Sequence, residues 1–124
     1  MKMKTLTIKN PWSYLIFHGK DVENRTWRTN YRGDILIHSA KKWSYDYQYL
    51  LDHIPYASEY VNNNHKELLC GAIIGKVTII DCINDSNSVW AQKDYWHWIL
   101  KNPILFDKPI PNIRGQLGLW EYGL

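Results

Sequence analysis

Short stretches of alternating polar and apolar residues run along the N-terminal third of the chain, with turn residues between them. Thr5–Ile8 alternates in this way and predicts a first strand. Val22–Arg28 and Asp34–Ser39 predict two further strands. Because Thr29–Gly33 supplies turn residues between them, we expect residues 22–39 to form a hairpin.

The C-terminal half predicts three more strands, at Gly71–Ile83, Tyr95–Leu100 and Arg114–Glu121. The first is the longest and is rich in β-branched residues, which favour strands. Its glycines Gly71 and Gly75 indicate a bend or a bulge of the kind found in barrels. Three prolines after the second strand predict a rigid extended connection: Pro103, Pro109 and Pro111.

Two helical segments interrupt these strands. Asn10 is a favoured N-cap and Pro11 a favoured first helical residue, so we expect a short helix from there to Gly19. Ser44–His53 predicts a second helix, and residues 56–69 fit either an interrupted helix or a loop. The apolar side of the second helix would comprise Trp43, Tyr47, Leu50 and Leu51.

About six strands with two or three short helices indicate an α+β fold. A chain of 124 residues has the length of one domain, so we assign residues 1–124 to a single domain. A twisted sheet of this many strands protects its edges by closing on itself. We therefore expect a small, curved, mixed β-barrel.

The aromatic residues are mostly tryptophan and tyrosine, with seven Trp and nine Tyr against two Phe. Such rings pack through one end and form hydrogen bonds through the other. They fit a tryptophan-rich core with tyrosine at its rim. Some of them also fit platforms on which the bases of a nucleic acid stack.

The formal net charge of +3 is unevenly distributed. Residues 1–42 contain nine basic and three acidic residues, a net charge of +6, and the remainder of the chain carries −3. This asymmetry favours a surface oriented toward a polyanion, although a solvated surface also acquires such asymmetry by chance.

Several protein classes are disfavoured by what the sequence lacks. It has no GxxxxGK[ST] phosphate loop, no GxGxxG motif and no GxSxG elbow. Cys70 and Cys82 lack metal-ligand spacing and the histidines are scattered, so we predict no metal and no other cofactor. We expect both cysteines to be buried, reduced thiols. With no apolar membrane-spanning run and no leader sequence, we expect a cytoplasmic protein with no membrane partner.

The charged cluster most suited to chemistry lies in residues 20–27. Glu23, Arg25 and Trp27 are two residues apart, so a strand places them on one face, and Lys20 can swing back over Glu23. Lys20 and Arg25 would bind a phosphate, and Trp27 would stack on a base. Glu23 would accept a hydrogen bond from an exocyclic amine. The same charged residues fit catalysis, and a plain ion pair on the strand face is the simplest alternative.

His38 and Ser39 are candidate ligand-binding residues on the following strand. Since neighbours in a strand face opposite sides, at most one of them faces the pocket with Glu23. Four basic residues would extend the positive surface and contact phosphates: Arg28, Arg32, Lys41 and Lys42.

The stretch NPWSYLIFHGKDVENRTWRTNYRGDILIHSAKKW resembles the ASCH domain, a relative of the PUA domain. The resemblance continues at GAIIGKVTIIDCI, YWHWILKNP and PIPNIRGQLGLWE, so it covers nearly the whole chain. Lys20, Glu23 and Arg25 match the lysine, glutamate and arginine of the family's GxKxxExR signature. The glycine is displaced, because Gly19 directly precedes the lysine and His18 occupies the glycine position.

The resemblance implies a PUA-like barrel with a cleft between barrel and helices, and it implies RNA binding. The leading hypothesis is a module that recognises a base or nucleotide in RNA or single-stranded nucleic acid. The alternative is a small amidohydrolase acting on an acylated cytidine nucleoside, as some relatives are similar to such enzymes. Lys20 would then be base or nucleophile, Glu23 would carry the proton and Arg25 would hold an oxyanion. A third interpretation is an interaction domain whose cleft is vestigial.

Overall fold

Six strands and three α-helices lie in residues 1–46 and 48–124, the part of the chain that this computed structural model describes. In chain order the strands are β1 (Lys2–Asn10), β2 (Val22–Arg25), β3 (Gly33–Trp43), β4 (Ala72–Ile83), β5 (Trp96–Ile110) and β6 (Leu119–Gly123). The helices are α1 (Trp12–Leu15), α2 (Gln48–His53) and α3 (Pro55–Asn64), with 3₁₀ turns at Ile16–His18 and His65–Glu67.

The strands form one mixed sheet in the order β2-β5-β4-β3-β1-β6. β1 and β3 are parallel, and the other neighbouring pairs are antiparallel. The long apolar strands β3 and β4 lie at the centre, where burial of their side chains gains most. The small α+β fold with a six-stranded mixed sheet is confirmed. The sheet does not close into a true barrel, because β2 and β6 remain at its two edges.

The predicted hairpin over residues 22–39 is wrong. β2 ends at Arg25 instead of Arg28 and pairs with β5, while β3 pairs with β1 and β4. The turn residues between the two strands favour local pairing, but burial opposes it. β3 is buried from Ile35 to Ser39 and takes a neighbour on each side, whereas the short, charged β2 suits an edge.

The strand β5 is longer than predicted because it contains two of the three prolines assigned to a connection. The β4–β5 ladder shifts register between Lys76 and Thr78, where Asn102 and Pro103 together oppose one β4 residue. A bulge of this kind accommodates proline, which has no backbone N–H to donate. Pro109 lies in a second irregular stretch of the same ladder. Periodicity alone does not reveal these bulges.

The helices also begin later than predicted. Asn10 is the last residue of β1 and does not cap α1, for which Pro11 occupies the N-cap position. The second helix begins at Gln48 instead of Ser44, and Leu51 on it is exposed. Tyr47, predicted on its apolar side, lies outside the described residues. Of the two alternatives for residues 56–69, the helical one is correct over α3.

Two apolar clusters fill the interior, and the indole of Trp12 packs against both. The larger cluster draws on β1, β3, β4 and β5, and its fully buried members include Leu6, Ile35, Ile37, Ile74, Ile79 and Trp98. The smaller one lies among α1, β2, α2 and α3 and comprises Leu15, Val22, Leu50, Ile54, Ala57, Val61 and Trp90. Val22, within the predicted functional segment 20–27, belongs to the smaller cluster.

Residues 111–118 form a loop, so the last strand begins at Leu119 instead of Arg114. The backbone N–H of Ile113 anchors this loop by donating to the carbonyl oxygen of Gly71 at 2.8 Å. Both cysteines are free thiols. Cys82 is buried as expected, but Cys70 is exposed, which differs from the prediction. No helix in the described part of the chain is long and apolar enough to cross a membrane.

Gly75 in β4 permits the close approach of β5 and of Phe17. A Cβ atom there would collide with the carbonyl oxygen of Ile104 and lie 2.6 Å from the Phe17 ring. We expect Gly75→Ala to lower the free energy of unfolding by about 1–3 kcal/mol, since backbone atoms cannot move aside as side chains do. Gly123→Ala is the control, because a Cβ atom added there has nothing within 4 Å. It should change the free energy of unfolding by less than about 0.5 kcal/mol. Urea denaturation measures both, and equal values would contradict the prediction.

Candidate functional site

The chain turns sharply into β2 at Gly19. This residue ends the first 3₁₀ turn with a φ of 106°, in the left-handed region. A Cβ atom there would lie 2.6 Å from the hydroxyl oxygen of Tyr56. Glycine suits this position because other residues rarely adopt that conformation, and a side chain there would displace the Tyr56 hydroxyl. The displaced glycine of the sequence signature therefore forms the turn that directly precedes Lys20.

Lys20, Glu23 and Arg25 form one continuous ion-pair network. Lys20 Nζ lies 2.6 Å from Glu23 Oε1, and Arg25 Nε lies 2.9 Å from Glu23 Oε2. Lys20 and Glu23 are only 3% and 6% exposed, while Arg25 is half-buried. The structure brings the three predicted residues together. Their burial distinguishes the network from an exposed ion pair on a strand face.

The carboxylate of Glu23 is the centre of this network. Burial by itself raises the pKa of Glu23, because a charged group loses its hydration. The charges of Lys20 and Arg25, together with their hydrogen bonds, outweigh that effect and hold the pKa below its usual range. Glu23 is therefore ionised at neutral pH, and each of its oxygens accepts a hydrogen bond from a cation.

Arg25 also links β2 to the far side of the sheet. Its Nη2 donates to the carbonyl oxygen of Thr7 at 3.0 Å. Thr7 lies on β1, one residue past Leu6, where the pairing with β6 ends. The hydrogen bond from Arg25 therefore connects β2 to β1, two strands that are not neighbours in the sheet.

A cavity of about 490 Å³ lies beside the network and is called the base cavity below. Its volume is within the range of about 300–1,000 Å³ found for small-molecule sites. Three cations and one carboxylate line it, a net charge of +2: Lys9, Lys20, Arg25 and Glu23. Five aromatic side chains also line it: Trp12, Trp27, Tyr49, Trp90 and Tyr95. The cavity thus combines positive charge with aromatic walls.

The two cations retain hydrogen-bond donors for a ligand. The Lys20 ammonium has three N–H groups, and among the described residues its side chain bonds only to Glu23. Arg25 likewise uses Nε and Nη2 on the protein, and its Nη1 has no partner in the described part of the chain. Because Lys20 and Arg25 both line the base cavity, a ligand there with acceptor atoms can accept hydrogen bonds from these N–H groups.

Trp27 lies at the edge of the base cavity although β2 ends before it. Its ring meets Trp98 edge to face, with centroids 4.7 Å apart and an interplanar angle of 89°. Trp98 Nε1 also donates to the carbonyl oxygen of Trp27 at 3.2 Å. These contacts with Trp98 hold Trp27 in place, while 37% of the residue stays exposed. The ring is therefore available for stacking.

His38 and Ser39 do not line the base cavity. The Ser39 hydroxyl is fully buried, 3.0 Å from that of Ser13. His38 Nε2 lies 2.7 Å from the carbonyl oxygen of Ile113, so it carries the proton and donates. His38 Nδ1, 3.2 Å from Thr7 Oγ1, then accepts. Burial lowers the pKa of His38 more than the hydrogen bond to Ile113 raises it, which keeps the ring neutral.

The four predicted phosphate contacts separate into two pairs. Arg28 lies 5.7 Å from the centroid of the Trp96 ring, and Arg32 lies 3.6 Å from Asp81. Neither arginine lines the base cavity. The other pair lines a second cavity that adjoins the first: Lys41 and Lys42.

The loop that contributes Trp90 and Gln92 to the base cavity was missed by sequence reasoning. Asn24 holds this loop, because its Nδ2 donates to the Trp90 carbonyl oxygen and its Oδ1 accepts from the Gln92 N–H, each at 2.9 Å. Asn24 lies between two charged residues of β2, so nothing local in the sequence singled out its contact with this loop. Within the described residues, no group of His, Cys, Asp and Glu side chains could hold a metal ion.

Residues 6–110 match the family model of the ASCH domain. The chain belongs to the ASCH family. Membership supports a PUA-like, RNA-binding domain at the level of the family. The chain is also 32% identical, over 95 residues, to the DNA polymerase III PolC-type of Pediococcus pentosaceus. That match covers 68% of this chain but 6% of the polymerase, so it concerns a small part of that protein.

Replacing the central carboxylate tests the network. We expect Glu23→Gln to lower the free energy of unfolding at pH 7 by about 3–5 kcal/mol, since it leaves two cations around an uncharged group. Glu121→Gln is the control, because Glu121 forms an exposed pair with Lys4 at 3.5 Å and its loss should cost less than about 1 kcal/mol. Urea denaturation measures both variants.

The pH dependence of the Glu23→Gln effect has a defined sign. Because the folded-state pKa of Glu23 is lowered, its stabilisation is complete above the unfolded-state pKa of about 4.3. It is lost as the pH falls through the lower folded-state pKa. The difference between wild type and variant should therefore be constant near neutrality and should shrink below pH ~4.3. A difference that grows on acidification would contradict this assignment.

Proposed function

We propose that this ASCH domain binds single-stranded nucleic acid by taking one unpaired base into the base cavity. The observation that carries the proposal is the buried ammonium of Lys20, whose spare N–H groups adjoin a cavity walled by tryptophan. A nucleobase offers acceptor atoms on its edge and an aromatic face. It therefore matches both features of the cavity at once.

Each part of a base has a suitable group in the cavity. Lys20 and Arg25 offer donors to carbonyl oxygens or ring nitrogens, as in the contacts that positively charged side chains make with guanine. Trp27 supplies an exposed ring for stacking. The side-chain amides of Gln92 and Gln116 line the same cavity and can donate or accept. A donor-rich wall favours bases that present acceptors.

The comparisons agree with nucleic acid as the ligand class. ASCH membership supports RNA binding at the family level. The relative from Pediococcus pentosaceus is named as a DNA polymerase. Polymerase activity is not part of the proposal, since the matching region is 6% of that protein.

The electrostatics of the network favour recognition over amide hydrolysis. A hydrolase acting on an acylated cytidine needs a residue that takes up a proton. Glu23 is a weak proton acceptor, because its pKa is lowered. Lys20 Nζ lies 2.6 Å from that carboxylate, so the lysine is held in an ion pair. The same pairing leaves the lysine free to donate hydrogen bonds to a base.

Binding of a fluorescent single-stranded RNA at low salt, measured by anisotropy, tests the proposal. We expect Lys20→Met to weaken binding roughly 10- to 100-fold, because a hydrogen bond from a charged group contributes about 1.5–3 kcal/mol. Lys4→Met removes the same charge from an exposed lysine outside the cavity and is the matched control. Trp27→Ala, a change at a partly exposed ring, should cost about 1–3 kcal/mol of stacking.

The binding experiment also has outcomes that would contradict the proposal. Circular dichroism of each variant establishes that it is folded before binding is compared. Wild type that fails to bind at low salt, or a folded Lys20→Met variant that binds like Lys4→Met, would show the proposal to be wrong.

Incubation with acetylcytidine separates recognition from hydrolysis. We expect the wild-type protein to release no cytidine, because the lowered pKa of Glu23 makes it a weak proton acceptor and Lys20 is held in an ion pair with it. Chromatography of the nucleosides after incubation is the measurement. Release of cytidine by wild type that disappears in Lys20→Met would establish the hydrolase alternative instead.

A further inference from the structure

A second cavity, of about 910 Å³, continues directly from the base cavity. The two share five lining residues, so they form one unbroken depression: Thr7, Lys9, Ala40, Gln116 and Leu117. The second cavity is called the basic groove below and is defined by its four cations: Lys9, Lys41, Lys42 and Arg114. A ligand in the base cavity therefore has a continuous path into the basic groove.

The charge of the basic groove is not neutralised by the protein. No Asp or Glu lines it among the described residues. Elsewhere in the same part of the chain five cations have a carboxylate within 4.0 Å: Lys4, Lys20, Arg25, Arg32 and Lys76. None of the groove's four cations is among them. Four like charges around one depression repel one another, and a polyanion relieves that repulsion.

A bulge directs two consecutive lysines to the same side. Neighbours in a regular strand face opposite sides, yet Lys41 and Lys42 both line the groove. Where the β1–β3 ladder shifts register, the single residue Lys9 opposes residues 40–42. The extra residues break the alternation of β3, which explains how both ammonium groups reach the groove.

Close backbone contacts fix the walls of the groove. A Cβ atom at Gly71 would lie 3.5 Å from Cγ of Lys41, so the stem of this lysine packs over the glycine. A Cβ atom at Gly115 would lie 3.0 Å from Cε1 of His38. Ile113 donates to the Gly71 carbonyl and accepts from His38. The loop of residues 111–118 is thus anchored on both sides of its arginine.

We infer that the basic groove holds the sugar-phosphate backbone of the nucleotides next to the base in the base cavity. The ligand is then a strand of several nucleotides instead of a free nucleoside. This inference rests on the proposed function, because the base fixes the strand at one end. Positive charge alone suits any polyanion, but continuity with an aromatic cavity selects nucleic acid over an acidic peptide.

The salt dependence of binding tests the inference. Each phosphate contact on a single strand contributes about 0.7 to the slope of log K against log salt concentration. We expect the double variant K41Q/K42Q to lower the magnitude of that slope by about 1.4. When the salt concentration rises fourfold, the affinity of the wild type should therefore fall roughly sevenfold more than that of the variant. The matched control is K101Q/K108Q, which removes two exposed lysines of β5 that line neither cavity. Binding of a mononucleotide should be the same in both double variants.

Each outcome has one meaning. A lower slope in K41Q/K42Q alone supports the inference. Equal slopes in the two double variants, with binding still sensitive to Lys20→Met, would overturn the groove assignment and leave the proposed function intact. Wild type that binds no oligonucleotide would overturn both. Polyglutamate of equal charge that competes as well as unlabelled RNA would overturn the choice of nucleic acid as the occupant.

Discussion

The fold and the site both depend on one buried carboxylate held between two cations. Glu23 loses its hydration at this position, and only the ion pairs with Lys20 and Arg25 offset that loss. Arg25 also donates a hydrogen bond from Nη2 to the Thr7 carbonyl oxygen on β1. The same charges that line the base cavity therefore also connect β2 to β1.

The core of this network could be predicted from the sequence because it is local. A strand places residues two apart on one face, and that rule alone brings Glu23 and Arg25 together. Lys20 is three residues before Glu23, within the reach of a long side chain. The family signature named the same residues. Whether they were buried could not be predicted, since burial depends on β5 and on the loop that Asn24 holds.

The parts of the fold that were predicted wrongly are those set by long-range pairing. The turn residues after β2 favour a local hairpin, but β2 pairs with β5, some seventy residues later in the chain. Pro103 suggested a connection, and a bulge opposite β4 allows it to remain in the strand. His38 and Ser39 were correctly expected to face different surroundings, yet neither faces Glu23. For β2 the local turn preference was weaker than the pairing with a distant strand, and for Pro103 the bulge removed the need for a backbone N–H.

In the proposed binding mode the two cavities have different roles, and the chemistry of their linings explains the difference. Contacts to phosphates supply affinity without reading sequence, whereas contacts to a base supply discrimination. The basic groove has exposed lysines with no carboxylate within 4.0 Å among the described residues, which suit a backbone of repeating charge. The base cavity has a buried lysine held by Glu23, and a donor already held in place loses less entropy when a ligand binds. Since Lys9 and Thr7 line both cavities, the proposed binding mode lets one strand occupy the groove while one of its bases lies in the base cavity.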